Sequence, residues 1–137
     1  MSAVIVLDAS SAIRAVMDSA AQLELLHRLA NAAVVLAPNL MRIEAASALW
    51  KYQKAQVIDA AKARDRHAEV CMLVHRFVDE QALFPESLQL AIDFSHPVYD
   101  AVYAVVARRH AATLLSFDRR LHSLCERANI QCELLSS

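Results

Sequence analysis

The chain contains 137 residues, of which 57% are apolar and 21% charged, and its formal net charge is −1. This length and composition exclude disorder and predict one domain, residues 1–137, with a well-buried core. The chain contains no glycine, whereas about ten would be usual for this length. Phosphate-binding loops, dinucleotide fingerprints, nucleophile elbows and EF-hand loops all need the backbone freedom of glycine, so these sites are excluded. Any handling of phosphate must therefore depend on side chains and metal ions.

The near-neutral charge argues against a uniformly basic nucleic-acid-binding surface but permits a local basic patch. Three cysteines (Cys71, Cys125 and Cys132) lack CxxC spacing. They are expected to be reduced core residues rather than zinc ligands or disulfide partners. The apolar run over 3–7 is too short for a signal peptide or a membrane span. We therefore expect a soluble, cytoplasmic protein.

The N-terminal part of the chain predicts a strand followed by two helices. The partly β-branched run over 3–7 is typical of a strand buried on both faces, and 9–17 predicts a short helix. Ser19 and Gln22 have the spacing of a capping box, which predicts a second helix as far as Asn31.

The middle of the chain predicts a second strand over 34–36, closed by Pro38, and two helices. Asn39 can cap a helix that ends at about Lys54, and Asp59 can cap a long helix that continues to about Gln81. The segment 83–85 is ambiguous and is treated as a possible strand stub. The C-terminal part then predicts helices over 87–94 and 98–110, broken at His96-Pro97, a strand over 113–116, a helix over 118–127 and a strand over 130–134.

This alternation of strands and helices predicts a three-layer α/β/α domain with a central, mainly parallel sheet of four to five strands. In such sheets, ligands bind beyond the carboxyl ends of the strands. Asp8 follows the first strand directly, and Asp118 follows the strand that ends at Ser116. Either aspartate alone could be an ordinary helix N-cap. Together they would lie at the same edge of the sheet.

Two further acids lie on predicted helices. Glu44 shares a helix stripe with Ser47, Lys51 and Lys54, which fits either a solvated face or a carboxylate followed by phosphate-binding lysines. Asp100 lies in the first turn of a largely apolar helix, where a carboxylate needs a cation or several hydrogen-bond donors.

Four acids that could converge, without histidine or cysteine at ligand spacing, describe a site for a hard cation such as Mg²⁺ or Mn²⁺. Such sites activate water for in-line attack on phosphodiesters.

Four short motifs carry a resemblance to a known family over essentially the whole chain. They are Val6-Leu7-Asp8-Ala9-Ser10, Arg42-Ile43-Glu44-Ala45-Ala46, Val98-Tyr99-Asp100-Ala101-Val102-Tyr103 and Leu114-Leu115-Ser116-Phe117-Asp118-Arg119-Arg120-Leu121. In this order and at these separations, the chain resembles the PIN-domain ribonucleases, and within them the VapC-like toxins of type II toxin–antitoxin modules.

The resemblance implies a catalytic and metal-binding role for four acids (Asp8, Glu44, Asp100 and Asp118), which would hold one or two Mg²⁺ or Mn²⁺ ions. Ser10 matches a supporting hydroxyl residue, and Ser116 stands near a second one. The resemblance further implies an endoribonuclease that cuts a structured RNA, often a tRNA or ribosomal RNA. It also implies a homodimer and a cognate antitoxin partner. An RNA-processing nuclease without an antitoxin, or an RNA- or protein-binding module without cleavage, stays open as an alternative.

Several residues around the acids have less certain roles. Basic residues that could contact RNA phosphates, or could simply solubilise the surface, are Arg42, Lys51, Lys54, Arg108, Arg109, Arg119 and Arg120. Tyr99 and Tyr103 are expected to be packing residues, and His96 is expected to be structural. Family members commonly carry glycine before the last strand of this motif set, where this chain has His110-Ala111-Ala112. The turn there is therefore expected to differ.

Overall fold

A parallel sheet of five strands forms the centre of the protein, which the computed structural model describes over residues 3–17 and 20–136. In chain order the strands are β1 (Val4–Leu7), β2 (Val34–Pro38), β3 (Arg76–Val78), β4 (Thr113–Ser116) and β5 (Cys132–Leu134). Their order in space is β3-β2-β1-β4-β5, and every pairing is parallel. The chain therefore builds outward from β1 in both directions, and β1 marks the switch point at which ligands bind in such sheets.

Seven helices are described around this sheet, and they complete the expected three-layer α/β/α architecture. In chain order they are α1 (Ala9–Val16), α2 (Gln22–Ala30), α3 (Leu40–Lys54), α4 (Ala60–Met72), α5 (Phe84–Phe94), α6 (Val98–Arg109) and α7 (Arg119–Arg127). None of the described helices is long and apolar enough to cross a membrane.

The core is deepest around β1 and α6. Ile5, Val6 and Leu7 are fully buried, as expected for a central strand that is covered on both faces. In α6, seven consecutive residues from Ala101 to Ala107 are buried. A helix that is buried on all sides fixes the position of whatever side chains lie at its ends.

The prediction of one long helix over 59–81 is wrong. Asp59 does cap α4, since its carboxylate accepts a hydrogen bond from Lys62 N at 2.7 Å, but the helix ends at Met72. The chain then enters the sheet because His75 N donates to Val35 O at 2.9 Å and Val35 N donates to His75 Nδ1 at 2.8 Å. Short apolar runs such as the one that forms β3 fit a helix or a buried strand equally well, which explains the error.

Four smaller predictions concern the segment 83–85, the proposed caps Asn39 and Ser19, and the cysteines. The segment 83–85 is not a strand stub, because a single 3₁₀ turn (Gln81–Leu83) leads directly into α5, with Pro85 in the first helical turn. Asn39 precedes α3, but its side chain accepts from Arg42 Nη2 at 2.7 Å and does not cap the helix. The proposed cap Ser19 lies outside the described residues. The cysteines are free thiols, as expected, but Cys125 alone of the three is buried, and Cys71 and Cys132 are partly exposed rather than core residues.

Helix ends in this protein use left-handed backbone without glycine. The four residues with positive φ, among those described, are Gln56 (63°), Ser95 (51°), Ala111 (49°) and Asn129 (59°). After each of them, the next N–H bonds back to the carbonyl five residues earlier, as Ala112 N does to Ala107 O at 2.9 Å. This is the Schellman arrangement, in which glycine is the usual left-handed residue. Ala111 takes that position in the turn over 110–112, so the expectation of a different turn there is wrong: alanine adopts the backbone conformation that glycine usually supplies.

Replacing Ala111 by glycine should therefore stabilise the protein. The Cβ atom of Ala111 is strained at positive φ, and we expect Ala111→Gly to raise the free energy of unfolding by about 0.5–1 kcal/mol. Ala55→Gly is the matched control, because Ala55 also ends a helix but has a φ of −79°. Glycine there should lower stability or leave it unchanged. Denaturant unfolding measures both variants, and an Ala111→Gly protein less stable than wild type would contradict the strain argument.

Candidate active site

The four acids singled out in the sequence line one cleft at the carboxyl edge of the sheet. The cleft has a volume of about 300 Å³, and its walls are Asp8, Ala9, Ser10, Glu44, Ala48, Asp100, Tyr103 and Asp118. Each acid comes from a different part of the fold: the junctions after β1 and β4, the second turn of α3 and the first turn of α6. The cleft therefore lies beside β1, where the strand order places a ligand site.

Asp8 is the most buried of the four acids, with 6% of its surface exposed. Its Oδ1 accepts hydrogen bonds from Ser11 N at 2.9 Å and from Ser10 Oγ at 3.2 Å, so the aspartate also caps α1. Burial raises the pKa of Asp8 above its usual value, although these hydrogen bonds act in the opposite direction. Ser11, which the sequence did not single out, also contacts β4 through a hydrogen bond from Oγ to Leu115 O at 3.4 Å.

Glu44 is half-buried and is held by a tyrosine on another helix. The hydroxyl of Tyr103 donates to Glu44 Oε1 at 2.5 Å. Burial raises the pKa of Glu44, and the nearby charges of Asp100 and Asp8 raise it further. The pKa of Tyr103 lies well above its usual value because the hydroxyl is buried beside the Glu44 carboxylate, so the hydroxyl stays protonated and acts as a donor.

Tyr103 combines the expected packing role with a polar one that the sequence analysis missed. Its side chain is only 2% exposed and belongs to the core. A buried tyrosine hydroxyl usually needs a hydrogen-bond partner. A tyrosine three residues after Asp100 on an otherwise aliphatic helix could have indicated a partner near the cleft.

Asp100 is also held by a neighbour that the sequence left unassigned. His96 Nε2 lies 2.9 Å from Asp100 Oδ2, and the histidine side chain is 4% exposed. The two residues are four positions apart, where side chains at the start of a helix can meet. His96 thus lies behind Asp100 and fixes one of its carboxylate oxygens, which agrees with a structural role but places that role at the site.

Asp118 is the most accessible of the four acids, and it both caps a helix and lines the cleft. Its Oδ1 accepts from Arg120 N at 2.8 Å and from Leu121 N at 3.4 Å, so it caps α7 while lining the cleft. Ser116 Oγ accepts from Asp118 N at 3.0 Å, and the same hydroxyl lowers the pKa of Asp8 by hydrogen bonding. Both hydroxyl residues that were expected to support the acids, Ser10 and Ser116, therefore contact them.

The charge and chemistry of the cleft fit a hard divalent cation. Its ionisable walls are carboxylates and one protonated tyrosine, and repulsion between the carboxylates contributes to the raised pKa of Glu44. Within residues 3–17 and 20–136, no three acidic, histidine or cysteine side chains form a ready-made set of metal ligands. This is compatible with Mg²⁺, which keeps several waters and is commonly bound through one or two carboxylates. The carboxylate oxygens of the cleft are therefore the feature that suits it to a hard divalent cation.

The basic residues expected to contact RNA fall into two groups. Arg42 lies over the ring of Phe77, Lys54 lies over Trp50, and Arg108 and Arg109 pair with Glu86. The remaining three, Lys51, Arg119 and Arg120, are exposed and form no ion pair or ring contact with the residues that the structure describes. Tyr99 was expected to be a packing residue, and this prediction is wrong, because the residue is 65% exposed.

Known proteins share this fold and sequence pattern. The crystal structure of PAE2754 from Pyrobaculum aerophilum superposes with a TM-score of 0.70 and 24% sequence identity, covering 90% of this chain and 87% of that one. The family model for the PIN domain matches residues 5–127, and the chain therefore belongs to the PIN domain family. PIN domains are generally metal-dependent nucleases that bind RNA. A search of curated proteins found no match.

Neutralising Asp8 should stabilise the protein in the absence of divalent cations. Asparagine can still cap α1 but carries no buried charge, so Asp8→Asn should raise the free energy of unfolding by about 1–2 kcal/mol at neutral pH. Because the pKa of Asp8 is raised in the folded state, the wild-type protein loses stability as the pH rises through that pKa. The difference in unfolding free energy between Asp8→Asn and wild type should therefore become smaller as the pH falls.

Thermal unfolding in chelator measures this difference, and Asp59→Asn is the matched control. Asp59 is also an N-cap, with a side chain that bonds Lys62 N, but it is exposed. Its replacement should therefore change the unfolding temperature little. If Asp8→Asn unfolded at a lower temperature than wild type, the cleft would not be strained by buried charge.

Proposed function

We propose that this protein is a metal-dependent endoribonuclease that hydrolyses RNA phosphodiester bonds. The observation that carries the proposal is the convergence of Asp8, Glu44, Asp100 and Asp118 on one cleft at the switch point of the sheet. These are the acids of the four motifs that resemble the PIN-domain ribonucleases. Membership of the family supports the reaction class at the level of a nuclease fold.

The four carboxylates would hold the cation, with Asp8 at the bottom of the cleft and Asp118 at its mouth. Bound Mg²⁺ or Mn²⁺ would supply the Lewis acidity that activates water for in-line attack and would offset the charge of the phosphate oxygens. Oxygen donors suit these two cations better than zinc, which prefers nitrogen and sulfur. The products expected of this hydrolysis are a 5′-phosphate and a 3′-hydroxyl.

The rest of the cleft keeps the carboxylates in place. Ser10 and Ser11 hold one oxygen of Asp8, Tyr103 holds one oxygen of Glu44, and His96 holds one oxygen of Asp100. Glu44 and Asp100 each then have a second oxygen to offer to a cation, whereas Asp8 also accepts hydrogen bonds from the hydroxyls of Ser11 and Ser116. Because the donors are themselves buried or on rigid helices, little reorganisation is needed when substrate arrives.

Purified protein should cleave RNA with Mg²⁺ or Mn²⁺, and excess chelator should stop the reaction. Asp100→Asn removes one ligand charge at constant size and should lower cleavage roughly 100-fold or more. Asp93→Asn is the control, because Asp93 is an exposed acid on α5 whose carboxylate accepts from Gln89. Gel analysis of RNA products measures both variants, and full activity of Asp100→Asn would contradict the proposed role of the acids.

We further propose that the enzyme is the toxin of a toxin–antitoxin pair, that its substrate is a tRNA or ribosomal RNA, and that it forms a homodimer. The resemblance of the four motifs to VapC-like toxins supports these finer assignments. Induction of the wild-type protein, but not of Asp100→Asn, is expected to arrest growth, and sequencing of RNA ends after brief induction identifies the target. Cleavage in vitro without growth arrest would favour an RNA-processing nuclease, and binding of RNA without cleavage would favour a binding module.

Removing the hydroxyl that holds Glu44 should weaken the response to metal. Tyr103→Phe keeps the buried ring but deletes the donor to Glu44 Oε1, so the Mn²⁺ concentration for half-maximal cleavage should rise about tenfold. The KM for RNA should change little, since Tyr103 is buried. Tyr99→Phe, at an exposed position of the same helix, should behave as wild type. An unchanged Mn²⁺ dependence in Tyr103→Phe would show that the hydroxyl serves stability alone.

A further inference from the structure

A second cleft adjoins the carboxylate cleft at the junction between β4 and α7. It has a volume of about 330 Å³, and its walls are Arg14, Phe117, Arg119 and the chain segment from Leu134 to Ser136. Asp118, which lines the carboxylate cleft, stands in the sequence between Phe117 and Arg119. Three consecutive residues thus line the two clefts in turn, and the cleft of Asp118 is acidic whereas the cleft of Phe117 and Arg119 is basic.

Arg14 and Phe117 form one wall of this basic cleft. The guanidinium carbon of Arg14 lies 4.0 Å from the centre of the Phe117 ring, a stacking distance that orients the planar group. Arg14 lies in the last turn of α1, the helix that Asp8 caps. A single short helix thus carries a residue of each cleft at its two ends.

Arg119 also lines this cleft and is open to a ligand. It is exposed, and none of the residues that the structure describes makes an ion pair, hydrogen bond or ring contact with its side chain. Among the other arginines proposed to meet RNA, Arg108 and Arg109 pair with Glu86, and Arg120 is exposed but does not line this cleft. Arg119 therefore stands out because it combines an open side chain with a place beside the acids.

The chemistry of this cleft favours a phosphate over a nucleobase. The guanidinium group of arginine matches the oxygens of a phosphate with paired hydrogen bonds, and two arginines line this one cleft. Base stacking would need an open aromatic face, but Arg14 already lies over the Phe117 ring. A polyanion that approaches four carboxylates is repelled, and a basic cleft directly beside them offsets that repulsion.

We propose that Arg14 and Arg119 form a subsite for an RNA phosphate next to the one that is cleaved. This inference rests on the proposed function, because it assumes that the carboxylate cleft receives the scissile phosphate. The subsite would position the strand through its backbone and would therefore contribute affinity without base preference. It would also supply, with side chains, the phosphate contacts that a glycine-free chain cannot make with a phosphate-binding loop.

Binding of a short, fluorescein-labelled single-stranded RNA, measured by anisotropy, tests the subsite in the Asp8→Asn background without cleavage. Arg119→Gln and Arg14→Gln should each raise Kd about tenfold and should lower the slope of log K against log salt by about 0.7. Single-stranded DNA of the same sequence should lose affinity to the same degree, because only a phosphate is contacted. Arg119→Lys keeps the charge but not the fork, so it should lie between wild type and Arg119→Gln.

Arg127→Gln is the matched control, because Arg127 lies at the other end of α7 with its guanidinium over Phe94. In a protein with Asp8 intact, Arg119→Gln should raise the KM for RNA and leave kcat within about twofold. Wild-type Kd and salt slope in both arginine variants would overturn the subsite even if the protein cleaves RNA. Conversely, if the arginine variants bind RNA more weakly but the wild-type protein never cleaves RNA, the subsite is supported and the proposed nuclease activity is overturned.

Discussion

The structure depends on the burial of one carboxylate at the end of the central strand. Asp8 follows β1, caps α1 and forms the bottom of the cleft, yet burial makes its charged form unfavourable. Neighbouring groups offset part of this cost: Ser10 and Ser11 donate hydrogen bonds to the Asp8 carboxylate, and Ser116 does so from the neighbouring strand. A divalent cation would complete the compensation, because it supplies the positive charge that the described walls of the cleft lack.

The helix α6 transmits the rigidity of the core to the site. Its buried residues, mostly alanine and valine, pack against β1, β2 and β4, so the helix has little freedom to shift. Asp100 lies in its first turn, His96 precedes that turn, and Tyr103 follows it. One packed helix thus positions an acid of its own and, through the tyrosine hydroxyl, an acid on α3. Precise placement of this kind is what catalysis by carboxylates requires.

The sequence allowed the parallel sheet and the four acids to be predicted because these features are local. A buried run followed by aspartate, as at Asp8 and Asp118, shows both the strand and the edge at which the carboxylate lies. The strand β3 was missed because its three residues are too few to show a period of two. The bond from Tyr103 to Glu44 joins residues 59 positions apart on two different helices, and only the tertiary fold brings them together. Local patterns carry no information about such an approach.

The helix ends that lack glycine have a consequence for the unfolded chain. Every residue carries a Cβ atom, so the unfolded ensemble samples fewer backbone conformations than that of a chain with about ten glycines. Each such position can favour folding by about 0.4–1 kcal/mol when the native backbone is unstrained. The strain at residues such as Ala111 offsets only part of this gain. Part of the protein's stability therefore comes from the lower conformational entropy of its unfolded chain. No contact in the folded structure corresponds to this contribution.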